Sequence, residues 1–148
     1  MNPFRTIAVA TDFGESSERA LQRASDLAKR YEAELIVVHA VEVLVNAFPL
    51  AIALAPEAEH GIAAAQRGLS SVVERVQETV PGARGLLLRG NAAEQILTFV
   101  EENAVDLIVL GTHGRTGPSR WLLGSVAEKI VRSCHAEVLI VRDMPPLK

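Results

Sequence analysis

The segment from Gly111 to Ser125, GTHGRTGPSRWLLGS, holds the residues best suited to bind a phosphate. Glycines stand at positions 111, 114, 117 and 124, and a hydroxyl follows at Ser125. Glycine lets a backbone approach an anion closely, and the first amides of a helix offer unpaired N–H groups at the positive end of its dipole. Arg115 or Arg120 can add a charge. The spacing predicts an anion-binding turn.

A plain structural interpretation of the same segment stands beside this one. Glycines also make tight turns, and Ser125 with Glu128 has the spacing of an ordinary helix cap. Two better-known phosphate motifs are missing from the sequence, since no glycine precedes Lys-Ser or Lys-Thr and no GxGxxG follows the first apolar run. Composition leaves both interpretations open.

The elements that must position this segment are visible as short apolar runs. They are rich in β-branched residues and continuous rather than alternating, which is typical of parallel strands covered on both faces. The five runs are Thr6–Ala10, Glu34–Val41, Gly85–Leu88, Asp106–Leu110 and Glu137–Val141.

Apolar stripes with helical spacing fill the gaps between these runs. Strand-helix alternation of this kind predicts one α/β domain with a doubly wound parallel sheet and helices on both faces. Ligands of such sheets bind outside the carboxyl ends of the strands, where the glycine-rich segment falls. Three caps are expected: Ser16 or Ser17, Asn91 with Glu94, and Ser125 with Glu128.

Residues 42–60 separate the second strand from the second helical stripe and contain Pro49 and Pro56. The expectation is a long, partly buried loop or an irregular helical turn packed on the domain. The alternative is a lid over the ligand or a partner surface. The apolar stretch within it is too short to span a membrane.

Net charge and cysteine content limit the classes of partner and the cellular compartment that we expect. The 148 residues carry a net charge of -3, so no broad attraction for nucleic acid is expected, and a phosphate must be held locally. Cys134 is the single cysteine, which excludes an intramolecular disulfide and suits a reducing compartment. With no signal-peptide pattern recognised, we expect a cytoplasmic protein without membrane or nucleic-acid partners.

The sequence resembles the universal stress protein family, and within it the nucleotide-binding subgroup. That subgroup is marked by G-x2-G-x9-G-[S/T] after the fourth strand, which Gly111, Gly114, Gly124 and Ser125 match. The likeness covers nearly the whole chain, from the opening IAVATDF through VVHAV and RGNAAEQI to the closing AEVLIVR. One departure is Ala92, where the family often has proline.

The resemblance implies a sheet ordered 3-2-1-4-5 that binds ATP or AMP in a regulatory role, with Mg²⁺ able to arrive on the phosphates. Asp12 would meet the ribose hydroxyls, the backbone of Ala40 the adenine edge, and Gly111 would lie under the ribose. The whole set of implied contacts is Ala10, Thr11, Asp12, Ala40, Gly111, His113, Gly114, Arg115, Gly124, Ser125 and Val126.

Asp12 and several polar residues outside this set also have ordinary structural interpretations. Asp12 can be a turn aspartate that bonds the backbone of Gly14. His39, inside an apolar strand, is expected to be a satisfied core histidine, and Cys134 an inert small hydrophobe. His60 and His113 are placed in a loop or at a helix end, without Cys or His at metal spacing, so no metal cluster is expected.

A hydrolase needs a group that activates water near the terminal phosphate, and His113 is the one obvious candidate. We therefore expect a binding protein, with ATP cleavage slow at most. The resemblance implies a homodimer formed through the final strand, residues 136–142, at the sheet edge. The alternatives are a nucleotide-independent dimeric interaction domain that uses residues 42–60 as its contact surface, or a slow ATPase.

Overall fold

A computed structural model describes residues 3–42, 50–112 and 123–142, with side chains of the second helix described from residue 59. Five strands alternate with four helices along the chain. The elements are β1 (Thr6–Ala10), α1 (Glu15–Tyr31), β2 (Glu34–Val41), α2 (Leu50–Gln77), β3 (Arg84–Arg89), α3 (Ala92–Glu102), β4 (Leu107–Gly111), α4 (Ser125–Ser133) and β5 (Glu137–Val141).

The strands form one parallel sheet in the order β3-β2-β1-β4-β5, which confirms the predicted class and order. All five predicted strands are present. Strand β3 is one residue longer at each end than predicted, and β4 is shifted by one residue toward the C-terminus. Asp106 lies just outside β4 rather than within it, and its carboxylate accepts hydrogen bonds from the Arg5 and Thr6 amides at 2.8 and 2.9 Å.

Two apolar layers cover the sheet, and successive strand residues alternate between them. Ile7 and Val9 pack with α1 and α2, whereas Ala8 packs with α3 and α4. In the inner strands β1, β2 and β4 both faces are largely buried, so these strands have no polar face, which explains their continuous apolar runs. Cys134, the C-cap of α4, packs against the α3/α4 layer.

The second helix is longer than the sequence pattern predicted. Residues 50–60 belong to α2, so the expectation of a loop or irregular turn is wrong from Leu50 onward, and His60 lies inside a helix rather than at its end. The LAIALA run consists mainly of strong helix formers, and α2 continues through Pro56. Residues 43–49 lie outside the described part of the chain.

Helix caps divide into one correct prediction and two wrong ones. The Asn91 side chain accepts from the Glu94 amide at 3.1 Å, as expected. The N-caps of α1 and α4 are instead Gly14 and Gly124, in extended conformation and without a capping side chain. The serines proposed as caps lie inside the helices, because both helices begin earlier than the apolar stripes suggested.

No helix among the described residues is long and apolar enough to cross a bilayer.

Candidate functional site

The sheet order places β1 beside β4 at its centre, so the loops that follow these two parallel strands lie next to each other. The chain leaves these two strands toward opposite faces, since α1 packs in the α1/α2 layer and α4 in the α3/α4 layer. Divergence of this kind opens a crevice at the carboxyl ends of the strands. The predicted site residues that the structure describes lie at the ends of β1, β2 and β4 and at the start of α4.

The turn after β1 is tightly bonded. Thr11 is buried, with its amide donating to the Val38 carbonyl at 2.9 Å and its hydroxyl accepting from the Phe13 amide at 3.0 Å. Oδ1 of Asp12 accepts from the Gly14 amide at 2.9 Å, which confirms the turn-aspartate interpretation. Within the described chain Oδ2 has no hydrogen-bond partner. The turn therefore fixes the direction of the carboxylate through one of its two oxygens.

Phe13 adopts a left-handed backbone, with φ of 67°, which is unusual for a bulky residue. Its ring centroid lies 4.3 Å from that of His39. His39 in turn places Nδ1 2.7 Å from the Thr11 carbonyl oxygen, and since a carbonyl only accepts, Nδ1 donates. The expectation of a satisfied histidine is confirmed, and the His39–Phe13 pair braces the turn that carries Asp12.

At the end of β4, Gly111 allows the strand to approach the first turn of α1. A Cβ at this position would lie 2.7 Å from the carbonyl carbon and oxygen of Ser16 and would also collide with its hydroxyl. The next amide, Thr112 N–H, donates to Ser16 Oγ at 2.8 Å. Packing alone thus requires glycine at position 111, with or without a ligand.

The base of the glycine-rich segment is closed by a backbone hydrogen bond. The Gly124 amide donates to the Thr112 carbonyl at 2.7 Å. Gly124 is therefore no free amide donor. His113, Gly114 and Arg115 fall in the part of the segment outside the described residues.

The first three amides of α4 provide the donors. Glu128 N–H bonds to the Gly124 carbonyl at 2.9 Å and begins the helical ladder. The amides of Ser125, Val126 and Ala127 have no acceptor among the described residues. Ser125 is exposed and Val126 is partly buried against the α3/α4 layer. Three unpaired N–H groups at a helix start form a site that favours an anion.

Two small residues complete the described set. Ala10 is the last residue of β1, and Ala40 pairs with Leu88 near the end of β2. Both are partly buried. Ala10 packs against the α3/α4 layer.

Sequence reasoning did not assign Ser16, Ser17, Thr112 or the Ala127 amide to this region. The two serines were interpreted as caps, although consecutive hydroxyls in the first turn after Asp12 were a usable signal. The partner of Ser16 lies across the fold, in Thr112, whereas Ser17 bonds within the neighbouring turn, to Asp12. In the described residues, no group of three or more acidic, His or Cys side chains is placed to hold a metal ion.

Comparison with known proteins agrees with this architecture. The model of the universal stress protein family matches residues 3–142. Universal stress protein MJ0531 of Methanocaldococcus jannaschii is 32% identical over 147 residues, covering 95% of this chain and 84% of that protein. Universal stress protein YxiE of Bacillus subtilis is 31% identical over 147 residues, covering 94% and 99%.

Solved structures share the fold. UspA from Lactobacillus plantarum superposes with a TM-score of 0.85 at 24% identity, over 94% of this chain and 98% of that one. A universal stress protein in complex with cAMP gives 0.63 at 22% identity, over 95% and 98%. The protein from Archaeoglobus fulgidus in complex with dAMP gives 0.61 at 22% identity, over 96% and 100%.

The fold and crevice define the class, a doubly wound α/β protein with an anion-favouring helix start at the centre of its sheet. The family match across almost the entire chain then specifies it further. This chain belongs to the universal stress protein family.

Proposed function

We propose that this chain binds an adenine nucleotide at the carboxyl ends of β1, β2 and β4 and acts as a regulatory module in stress adaptation. The observation that carries the proposal is the start of α4, where three consecutive amides have no acceptor in the described chain. The protein has a net charge of -3, so this local field, rather than overall charge, would attract the phosphates.

The Asp12 turn supports a ribose contact. Oδ1 is held by the Gly14 amide and the Ser17 hydroxyl at 2.9 and 3.0 Å, so the carboxylate has a fixed direction. Oδ2 is left to accept from sugar hydroxyls. The backbone of Ala40 would meet the adenine edge, and Ala10, Thr11 and Gly111 would form the floor.

Two fold relatives, in complex with cAMP and dAMP, bind adenine nucleotides. At 22% identity they share the fold, and we extend their ligand class to this chain on the strength of its own donors. ATP and AMP are both candidates, and Mg²⁺ would come with the phosphates. The described crevice offers amide donors and one fixed carboxylate, which suits retention of a nucleotide. His113, the candidate for water activation, lies outside the described residues.

A pair of variants tests the α4 amides. Ser125→Pro removes the amide and hydroxyl at the first helical position, where proline is tolerated, and Gly124 already has a ψ of 159° that suits a following proline. Ser125→Ala removes the hydroxyl alone. By calorimetric titration with ATP and AMP, we expect the proline variant to bind about tenfold more weakly than the alanine variant.

Thermal unfolding of both variants serves as the control for a folded α4. Equal affinities in the two variants would remove the Ser125 amide from the site. Wild-type protein that releases no adenine nucleotide on heat denaturation and gives no titration heat would reject nucleotide binding, and would favour the interaction-domain alternative.

We also propose that the protein is a cytoplasmic homodimer joined through β5. That strand is one edge of the sheet, and its apolar side chains from Val138 to Val141 remain partly exposed. An unpaired apolar edge favours strand addition by a second copy. The single cysteine is consistent with a reducing compartment.

Sedimentation tests the dimer, with the opposite edge as control. Wild-type protein should sediment at twice the 15.9 kDa of one chain. Ile140→Lys on β5 should shift it to monomer, whereas Leu86→Lys on β3, at a side chain 37% exposed, should leave it dimeric. A monomeric wild-type protein would contradict the proposal.

A further inference from the structure

Ser16 and Ser17 are neighbours in the first turn of α1, and they are almost equally buried, at 7% and 5% exposure. A buried serine in a helix commonly bonds back to the carbonyl four residues earlier, as Ser25 does to Leu21 at 2.8 Å. Ser16 instead contacts Thr112, and Ser17 bonds back three residues to the Gly14 carbonyl as well as to Asp12. Their hydroxyls contact two different loops at the carboxyl end of the sheet.

Ser16 supports the loop after β4. Its Oγ accepts from the Thr112 amide at 2.8 Å and lies 3.4 Å from the Thr112 hydroxyl. The Thr112 carbonyl then accepts from the Gly124 amide at 2.7 Å. Because Gly124 is the N-cap of α4, this pair of hydrogen bonds sets where the unpaired amides of α4 begin.

Ser17 supports the turn after β1. Its Oγ lies 3.0 Å from Asp12 Oδ1 and 2.9 Å from the Gly14 carbonyl, so its hydroxyl hydrogen points into the turn. The same oxygen is 3.2 Å from the Thr11 hydroxyl and 3.4 Å from the Asp12 amide. Loss of this hydroxyl removes a hydrogen-bond donor to the Asp12 carboxylate and loosens its direction.

We propose that Ser16 and Ser17 are positioning residues that divide the nucleotide site between them, Ser16 serving the phosphate end and Ser17 the ribose end. The inference rests on the proposed function. It follows from two adjacent hydroxyls of equal burial whose partners lead to opposite ends of the same crevice.

Ser16→Ala and Ser17→Ala form a matched pair, with Ser25→Ala as control for a buried helical hydroxyl outside the site. Affinities for ATP, 2′-deoxy-ATP and adenosine are measured by calorimetric competition. The ratio of ATP to adenosine affinity reports the phosphate end, and the ratio of ATP to 2′-deoxy-ATP affinity reports the ribose end.

Ser16→Ala should lower the ATP-to-adenosine ratio by about three- to tenfold and leave the ribose ratio unchanged, as expected for one lost hydrogen bond. Ser17→Ala should lower the ratio of ATP to 2′-deoxy-ATP affinity by a similar factor and leave the ratio of ATP to adenosine affinity unchanged. Ser25→Ala should change neither ratio. A general loss of stability would lower all affinities by the same factor and leave both ratios unchanged. Unchanged ratios in the two serine variants, or the same change of both ratios in each of them, would overturn the proposal.

Amide hydrogen exchange without ligand tests the division independently of nucleotide binding. Ser16→Ala should accelerate exchange at Thr112 and Gly124, and Ser17→Ala at Phe13 and Gly14, because each loses its own support. The same exchange pattern in both variants would overturn the division. Wild-type protein that binds no nucleotide would instead overturn the proposed function and the assigned phosphate and ribose roles.

Discussion

At the residue scale, Gly111 illustrates how a presumed ligand glycine can have a packing cause. A Cβ there would lie 2.7 Å from the Ser16 backbone, so Gly111→Ala must separate β4 from α1. We expect a loss of about 1–3 kcal/mol in the free energy of unfolding, measured by urea denaturation. The control is Gly61→Ala in α2, where a Cβ meets nothing within 4 Å. This substitution should increase the free energy of unfolding by about 0.5–1 kcal/mol, because alanine favours a helix over glycine. Equal effects would contradict the packing argument.

Phe13 combines a strained backbone with a packed ring. Phe13→Ala loses the contact with His39 and keeps the left-handed φ of 67°, whereas Phe13→Gly loses the contact and relieves the strain. The glycine variant should therefore be more stable than the alanine variant by about 1 kcal/mol in urea denaturation. An alanine variant at least as stable would show that the backbone here carries no strain.

At the element scale, a two-pronged ion pair links α2 to α1. Arg75 donates to the two carboxylate oxygens of Glu18 at 2.6 and 3.2 Å, and this hydrogen bonding raises the pKa of Arg75 above its ordinary value. A raised pKa keeps the arginine charged, so its contribution is present at neutral pH and lost only in strong alkali. Both side chains are substantially exposed, at 53% and 40%, which limits the energy of the pair.

A double-mutant cycle with Glu18→Gln and Arg75→Gln should give a coupling below about 1 kcal/mol. The coupling should be the same at pH 7 and pH 9, because the charge of Arg75 does not change in that interval. Urea midpoints at both pH values provide the measurement. A coupling energy that decreases from pH 7 to pH 9 would mean that another titrating group controls the contact.

At the scale of the whole molecule, nucleotide binding at the carboxyl ends of β1, β2 and β4 should couple to global stability. A ligand that binds only the folded state at one hundred times its Kd adds about 2.7 kcal/mol to the free energy of unfolding. ATP at that excess should therefore raise the thermal midpoint of the wild-type protein in a calorimetric scan. At the same ATP concentration Ser125→Pro should show a smaller rise, and an equal rise would place the nucleotide elsewhere.

Local pattern was sufficient for most of the fold. Continuous apolar runs indicated the five strands, and helical spacing indicated the helices between them, because both depend on residues close in sequence. The Asn91 cap was correct for the same reason, since its partner Glu94 is three residues away. The order of the strands came from family resemblance, since spacing alone does not determine which distant runs pair.

The details of the site depended on contacts between distant parts of the chain. Ser16 was interpreted as a cap, yet its hydroxyl bonds to Thr112, 96 residues away. The start of α4 likewise follows from Gly124 bonding back to Thr112 across the glycine-rich segment. Residue types and local periodicity are thus enough to specify elements, whereas the direction of a hydroxyl or amide depends on which partner the packed sheet brings beside it.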